Sequence, residues 1–102
     1  MWNFIVSELQ NHPQDIQTVP LHGQGKWFYA YSDGNDIWVT NSKTHIPSCK
    51  ISKPRKLKKE RYEVILQLYR RRCKGEAVSQ EATSVTVHQV YWYGIFSKFD
   101  VV

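Results

Sequence analysis

Residues 26–41, KWFYAYSDGNDIWVTN, constrain the fold more than any other stretch of the chain. Two runs of aromatic and β-branched residues flank Ser32, Asp33, Gly34 and Asn35. Strand-forming runs on either side of such turn residues predict a β-hairpin. Strand side chains alternate between faces. Trp27, Tyr29 and Tyr31 therefore share one face of the first strand. Ile37 and Val39 share one face of the second, with Trp38 on the other. Apolar residues on both faces predict that both are at least partly covered. An isolated hairpin is only marginally stable, so a third strand around residues 48–51, or helices, is expected to support it.

Two stretches supply helical patterns. Trp2, Ile5, Val6 and Leu9 follow the i, i+3, i+4, i+7 spacing of a short amphipathic helix that Pro13 ends. Residues 14–25, with Pro20, Gly23 and Gly25, read as an irregular connection holding one extended piece. In residues 50–74, Tyr62, Ile65, Leu66, Tyr69 and Cys73 form an apolar stripe through a strongly basic segment. Pro54 disfavours helix at Lys53, so a helix is expected to start after it and stop at Gly75. The fold class is α+β in one domain over residues 1–102: an N-terminal helix, a small antiparallel hairpin or three-stranded sheet, and a C-terminal helical unit.

Charge narrows the function. Of the 14 Lys and Arg residues, all but Lys26 and Lys98 lie within residues 43–75. Such polarisation attracts polyanions. Lys56, Lys58 and Lys59 would crowd the first turns of the basic helix, where the helix dipole disfavours cations. Arg70, Arg71 and Arg72 lie at its favourable end. These six are the candidate phosphate contacts. The two cysteines make no disulfide framework. No apolar run suits a signal peptide or a membrane span. A cytoplasmic protein with free thiols and no membrane association is expected.

Residues 76–100 admit two readings. Val85, Val87, Val90, Tyr91, Trp92, Tyr93, Ile95 and Phe96 have high strand propensity. Against that, Ser79 suits the start of a short helix over residues 80–84. Thr86 followed by Gln89 reads as a capping box opening a second helix. Val87, Tyr91, Trp92, Ile95 and Phe99 would then form a buried stripe. In the helical reading, the small Ala82, the apolar Val85 and Val87 about the turn, and Trp92 and Ile95 resemble a helix-turn-helix DNA-binding motif. The turn carries Thr86 where glycine is usual, and Glu81 stands where an apolar residue is commoner. The resemblance implies a recognition helix whose exposed face carries His88, Gln89, Tyr93 and Ser97 as base-edge candidates.

The expected function is nucleic-acid binding without catalysis, to duplex DNA ahead of RNA, with a homodimer compatible. Exposed aromatics on a sheet can stack unpaired bases, but the hairpin itself has only Lys26 for charge, so the core is their favoured place. A small basic RNase is the enzymatic alternative, with His45, Lys43, Lys50 and Arg55 acting on a phosphodiester. A module for an acidic protein partner is the other. His45, Cys49, Cys73 and His88 lack the tight ligand pairs of structural zinc sites, so neither metal nor cofactor is assigned.

Overall fold

The computed structural model describes residues 1–86 and 88–101. It is α+β, as expected: four helices and a four-stranded antiparallel sheet. Helix α1, Trp2–Asn11, is followed by strands β1, Gln14–Gln17, β2, Trp27–Ser32, β3, Ile37–Asn41, and β4, Arg55–Leu57. A 3₁₀ turn over Lys59–Arg61 leads into α2, Tyr62–Cys73, then α3, Ser79–Val85, and α4, Gln89–Lys98. Each strand pairs with the next, so the sheet is a meander of order β1-β2-β3-β4.

The register sorts the side chains. Ile16, Phe28, Ala30, Ile37, Val39 and Leu57 point to one face, and each is at most 2% exposed. The helices cover this face. Trp2 of α1 meets the rings of Tyr62 and Trp92, with centroids 5.6 and 6.0 Å apart, and Phe96 packs on Tyr62 and Tyr69. All four residues of the predicted α1 stripe and four of the five of the α2 stripe are buried; Leu68 joins them. Gly34 closes the hairpin at φ +95°, a conformation that glycine adopts without steric cost.

Three details depart from the expectation. The basic helix begins after Pro54 but only at Tyr62, so Lys56, Lys58 and Lys59 lie before it and not in its first turns. Arg55–Leu57 extends instead as an edge strand, because Leu57 falls opposite Ile37 and fills the core while Arg55 and Lys56 stay exposed. Lysine and arginine are common on edge strands, where their charge discourages pairing with another chain. The strand expected at residues 48–51 is reduced to one bridge, Trp27 to Ser48. The extended piece in 14–25 is β1, which takes the other edge of the sheet. Finally, Cys73 is exposed, since it lies in the last turn of α2, at the far end of the stripe.

Residues 89–98 are helical. Val87, part of the predicted stripe and of the helix-turn-helix resemblance, lies outside the described residues. Trp92, Tyr93, Gly94, Ile95 and Phe96 are all buried, so the middle of α4 is enclosed on every side. The capping geometry is shifted by two residues. His88 is the N-cap residue, and its N–H bonds the Thr86 hydroxyl at 3.0 Å. Gln89 donates to Thr83 Oγ1 at 3.3 Å. Among the described residues no helix is long and apolar enough to cross a membrane.

Candidate nucleic-acid interface

Among the described residues, no helix covers the second face of the sheet. Alternation sends Trp27, Tyr29 and Tyr31 of β2 and Trp38 of β3 to this side, and all four are half-buried. Cross-strand pairing sets them in rows. Tyr31 lies opposite Trp38, and Trp38 opposite Lys56 on β4. Tyr29 sits between Asp15 and Thr40. Both faces of the hairpin are thus at least partly covered, as expected, but only the first is enclosed by helices.

Charge reaches this surface from elsewhere in the sequence. Lys56 Nζ lies 5.4 Å from the centre of the Trp38 ring, and Lys43 Nζ lies 5.1 Å from that of Tyr29. Both are within cation–π range. Lys56 Nζ is also 4.0 Å from Asp36. Lys58 and Lys59, exposed where β4 leads into the 3₁₀ turn, extend the basic edge. Lys56, Lys58 and Arg61 line a shallow hollow together with His88. Burial, with Arg55 adding to it, holds the His88 imidazole below its ordinary range. It is therefore neutral at pH 7.

Two aspartates fix the ends of the aromatic face. Asp33 accepts the N–H groups of Asn35 and Asp36 at 2.9 and 2.8 Å, and the Trp38 indole N–H at 3.1 Å. The N–H of Asp36, then that of Asn35 and the indole, hold the Asp33 carboxyl down to about 2. The indole is thus tied in one orientation. At the other end the Asp15 side chain is 3% exposed. It accepts from the backbone N–H groups of Lys43, Thr44 and His45 and from the Ser42 hydroxyl. Burial pushes this carboxyl up, but the donors of Lys43, His45, Thr44 and Ser42 outweigh it and hold it well below the usual range. Asp15 Oδ2 also meets His45 Nδ1 at 2.8 Å. The loop that Asp15 gathers stacks the His45 ring on Trp27, with centroids 3.9 Å apart.

The ten residues expected to touch nucleic acid do not form one surface. Lys56, Lys58, Lys59 and His88 gather at the β4 edge. Arg71 is engaged by its own neighbours on the surface: its guanidinium bonds Glu76 at 3.0 Å and both oxygens of Glu81 at 2.8 and 2.9 Å. Arg70 is half-buried in the last turns of α2. Arg72 donates to the Val19 carbonyl and lies over the Tyr93 ring, 4.8 Å from its centre. Tyr93, read as exposed, is 6% exposed, because the connection from β1 to β2 and Arg72 cover that side of α4. Gln89 and Tyr93 line a cavity with Arg72. Ser97 is exposed at the opposite end of α4, beside Lys98. His88, Gln89, Tyr93 and Ser97 are therefore not one continuous reading face.

The chain matches no protein-family model, no curated protein and no solved structure. What the site can do rests on its own geometry.

Trp27, Tyr29, Tyr31 and Trp38, expected in the core, lie on the open face instead. Their alternation was visible, but the charge beside them comes from residues 43 and 56, which only the strand pairing and the Asp15 loop bring near. Among the described residues, no three His, Cys, Asp or Glu side chains converge as a metal site would need.

Proposed function

We propose that this protein binds nucleic acid on the open face of its sheet, stacking unpaired bases on Tyr29, Tyr31 and Trp38 and drawing the phosphate backbone along the basic edge at β4. The observation that supports this most is the row Tyr31, Trp38, Lys56 beside Tyr29 and Lys43. Single-strand binders combine aromatic stacking with a basic track along the backbone. Stacking tolerates any base, so little sequence preference is expected. The duplex-DNA reading depends on the N-terminal end of α4, where His88 and Gln89 are half-buried and the helix beyond them is enclosed. A helix enclosed along its middle offers a groove only its tip.

The test is fluorescence anisotropy with labelled single-stranded RNA, single-stranded DNA and duplex DNA across a salt series. The single strands should bind more tightly, with affinity falling as salt rises. Removing one stacking ring costs about 1–3 kcal/mol, so Trp38→Ala should weaken binding by roughly 5- to 150-fold. Absence of binding at low salt, or an unchanged affinity in both Trp38→Ala and Tyr31→Ala, refutes the proposal. Tighter duplex binding that is lost in His88→Ala and Gln89→Ala moves the interface to α4.

A second reading has one observation in its favour. Asp15 and His45 form a carboxylate–imidazole pair at the rim of the same face, and the His45 side chain is 47% exposed. A carboxylate on Nδ1 fixes the tautomer and leaves Nε2 to accept a proton, here the 2′-hydroxyl proton of a bound RNA. RNA incubated with the protein should then be cleaved, and His45→Ala should abolish cleavage. Intact RNA, or cleavage that survives the substitution, eliminates this reading. Lys43 stands over Tyr29 nearby, whereas Lys50 and Arg55 line a separate hollow beyond β3.

A further inference from the structure

A cavity of about 350 Å³ opens between the connection from β1 to β2, the end of α2, and the start of α3 and α4. Its volume falls within the range of small-molecule sites. The walls are mostly apolar, from Val19, Pro20, Leu21, Val78 and Val90. Six polar residues also line it: Thr18, His22 and Ser79, and the trio Arg72, Gln89 and Tyr93.

Two of these three carry polar atoms that are buried and have no hydrogen-bond partner, Gln89 Oε1 and the Tyr93 hydroxyl. Buried polar atoms are almost always paired, so two in one cavity call for a physical account. The amide of Gln89 cannot simply be turned over. Its Nε2 donates to Thr83 Oγ1, and the Thr83 hydroxyl already donates to the Ser79 carbonyl at 2.8 Å. With that proton engaged, Thr83 can only accept, so the nitrogen must face it and the oxygen is left over. Oε1 therefore lacks a donor, while the Tyr93 hydroxyl can both donate and accept. Arg72 has one N–H on the Val19 carbonyl and further N–H groups beside the cavity. No acidic side chain lines the cavity to neutralise it.

We infer that this cavity binds a small, largely apolar carboxylic acid carrying one hydrogen-bond donor. The carboxylate meets Arg72 and Tyr93, the donor meets Gln89 Oε1, and the hydrocarbon body rests on Val19, Leu21, Val78 and Val90. Both orphan atoms are closed to a water-sized probe, so binding requires the Gln89 and Tyr93 side chains to turn them towards the cavity. The site lies among the helices and shares no residue with the aromatic face, and it does not depend on nucleic-acid binding.

The test is an NMR titration of the intact protein with 4-hydroxyphenylacetate and, separately, its neutral amide. Saturable shifts are expected at the Gln89 side-chain amide and at the backbone amides of Val19, Leu21 and Val90. The neutral amide should bind about fivefold more weakly, and Arg72→Gln should remove that difference. Tyr93→Phe deletes only an unpartnered hydroxyl, so it should melt no lower than the parent while weakening the acid roughly threefold or more. Gln89→Leu should weaken it similarly and guards against a folding defect in the first variant. No saturation, equal affinity for acid and amide, or undiminished binding in both Tyr93→Phe and Gln89→Leu overturns the inference.

Discussion

Asp15→Asn isolates the carboxylate that holds the loop over Trp27. The substitution keeps the shape and removes the charge. Oδ1 of Asp15 accepts the Lys43 N–H at 2.9 Å, while Oδ2 takes the Thr44 and His45 N–H groups at 2.9 and 3.2 Å. The Ser42 and Thr44 hydroxyls can rotate to suit an amide, but the three backbone N–H groups cannot. If the Asn oxygen serves Thr44 and His45, its NH₂ must face the Lys43 N–H, donor against donor. One donor facing the buried amide without an acceptor costs about 1–3 kcal/mol, and the bonds that remain lose their charge assistance. The sum is about 3 kcal/mol at pH 7, a fall in Tm of roughly 10–20 °C for a domain of this size. Linkage gives an independent check. The folded carboxyl lies below its ordinary value, so the stability it confers is fully present above the unfolded pKa of about 3.9 and is lost as pH falls towards the folded value. Urea unfolding at pH 7, 5, 4, 3 and 2 should show the gap between parent and Asp15→Asn narrowing steadily below pH 4. A loss under about 1 kcal/mol at pH 7, or a gap that stays constant to pH 2, refutes the reasoning.

Gly94→Ala tests how closely α4 lies on the sheet. A methyl group there would come 2.9 Å from the Gln17 carbonyl oxygen and 3.0 Å from Phe28. Overpacking of about 1–3 kcal/mol should exceed the roughly 1 kcal/mol that alanine gains in helix propensity, so Tm falls. Leu57 is 1% exposed, and Leu57→Ala should cost about 2–5 kcal/mol in chemical denaturation. Cys73→Ala at an exposed position should stay within about 0.5 kcal/mol of the parent. If Leu57→Ala is neutral, β4 is not seated as described. For binding, Lys58→Ala with Lys59→Ala should flatten the salt dependence measured by anisotropy. Arg71→Ala should leave it unchanged, because that guanidinium is already engaged by Glu76 and Glu81.

Periodicity made much of the fold legible. The spacing of Trp2, Ile5, Val6 and Leu9 gave α1 with its buried face, and the turn at Asp33–Asn35 gave the hairpin. The helical alternative for residues 89–98 proved right over the strand one, even though six of those residues are aromatic or β-branched. Strand propensity gave way there to packing, since Trp92, Ile95 and Phe96 fill the core from one helix. Local pattern failed at Arg55–Leu57. Three residues show no period, and the single signal, Leu57 between basic neighbours, becomes a strand only because β3 offers an edge for it to pair with. Tyr93 was misplaced for a related reason. A helix stripe shows which side faces the main core, but not that a loop such as residues 18–22 will close over the other side. The candidate site was hidden by distance along the chain, since Trp38 and Lys56 become neighbours only through the β3–β4 register.

That register also changes the meaning of the acidic residues in the N-terminal part of the chain. Asp15, Asp33 and Asp36 place negative charge at or near the hairpin. In the folded protein each is spoken for. Asp15 is enclosed by the donors of residues 42–45, Asp33 accepts two backbone N–H groups and an indole, and Asp36 lies near Lys56. The first two hold rings in place: His45 against Trp27 and Trp38 in its row. An aromatic side chain held in one orientation loses little freedom when something stacks on it, which is how preorganisation raises affinity without added contact. Asp15 and Asp33 thus bring negative charge to this face but also make its rings rigid. On the proposed reading, then, loosening the Trp38 ring by Asp33→Ala should weaken single-strand binding even though a negative charge has been removed. A rise in affinity instead would mean that charge, and not ring placement, governs this face.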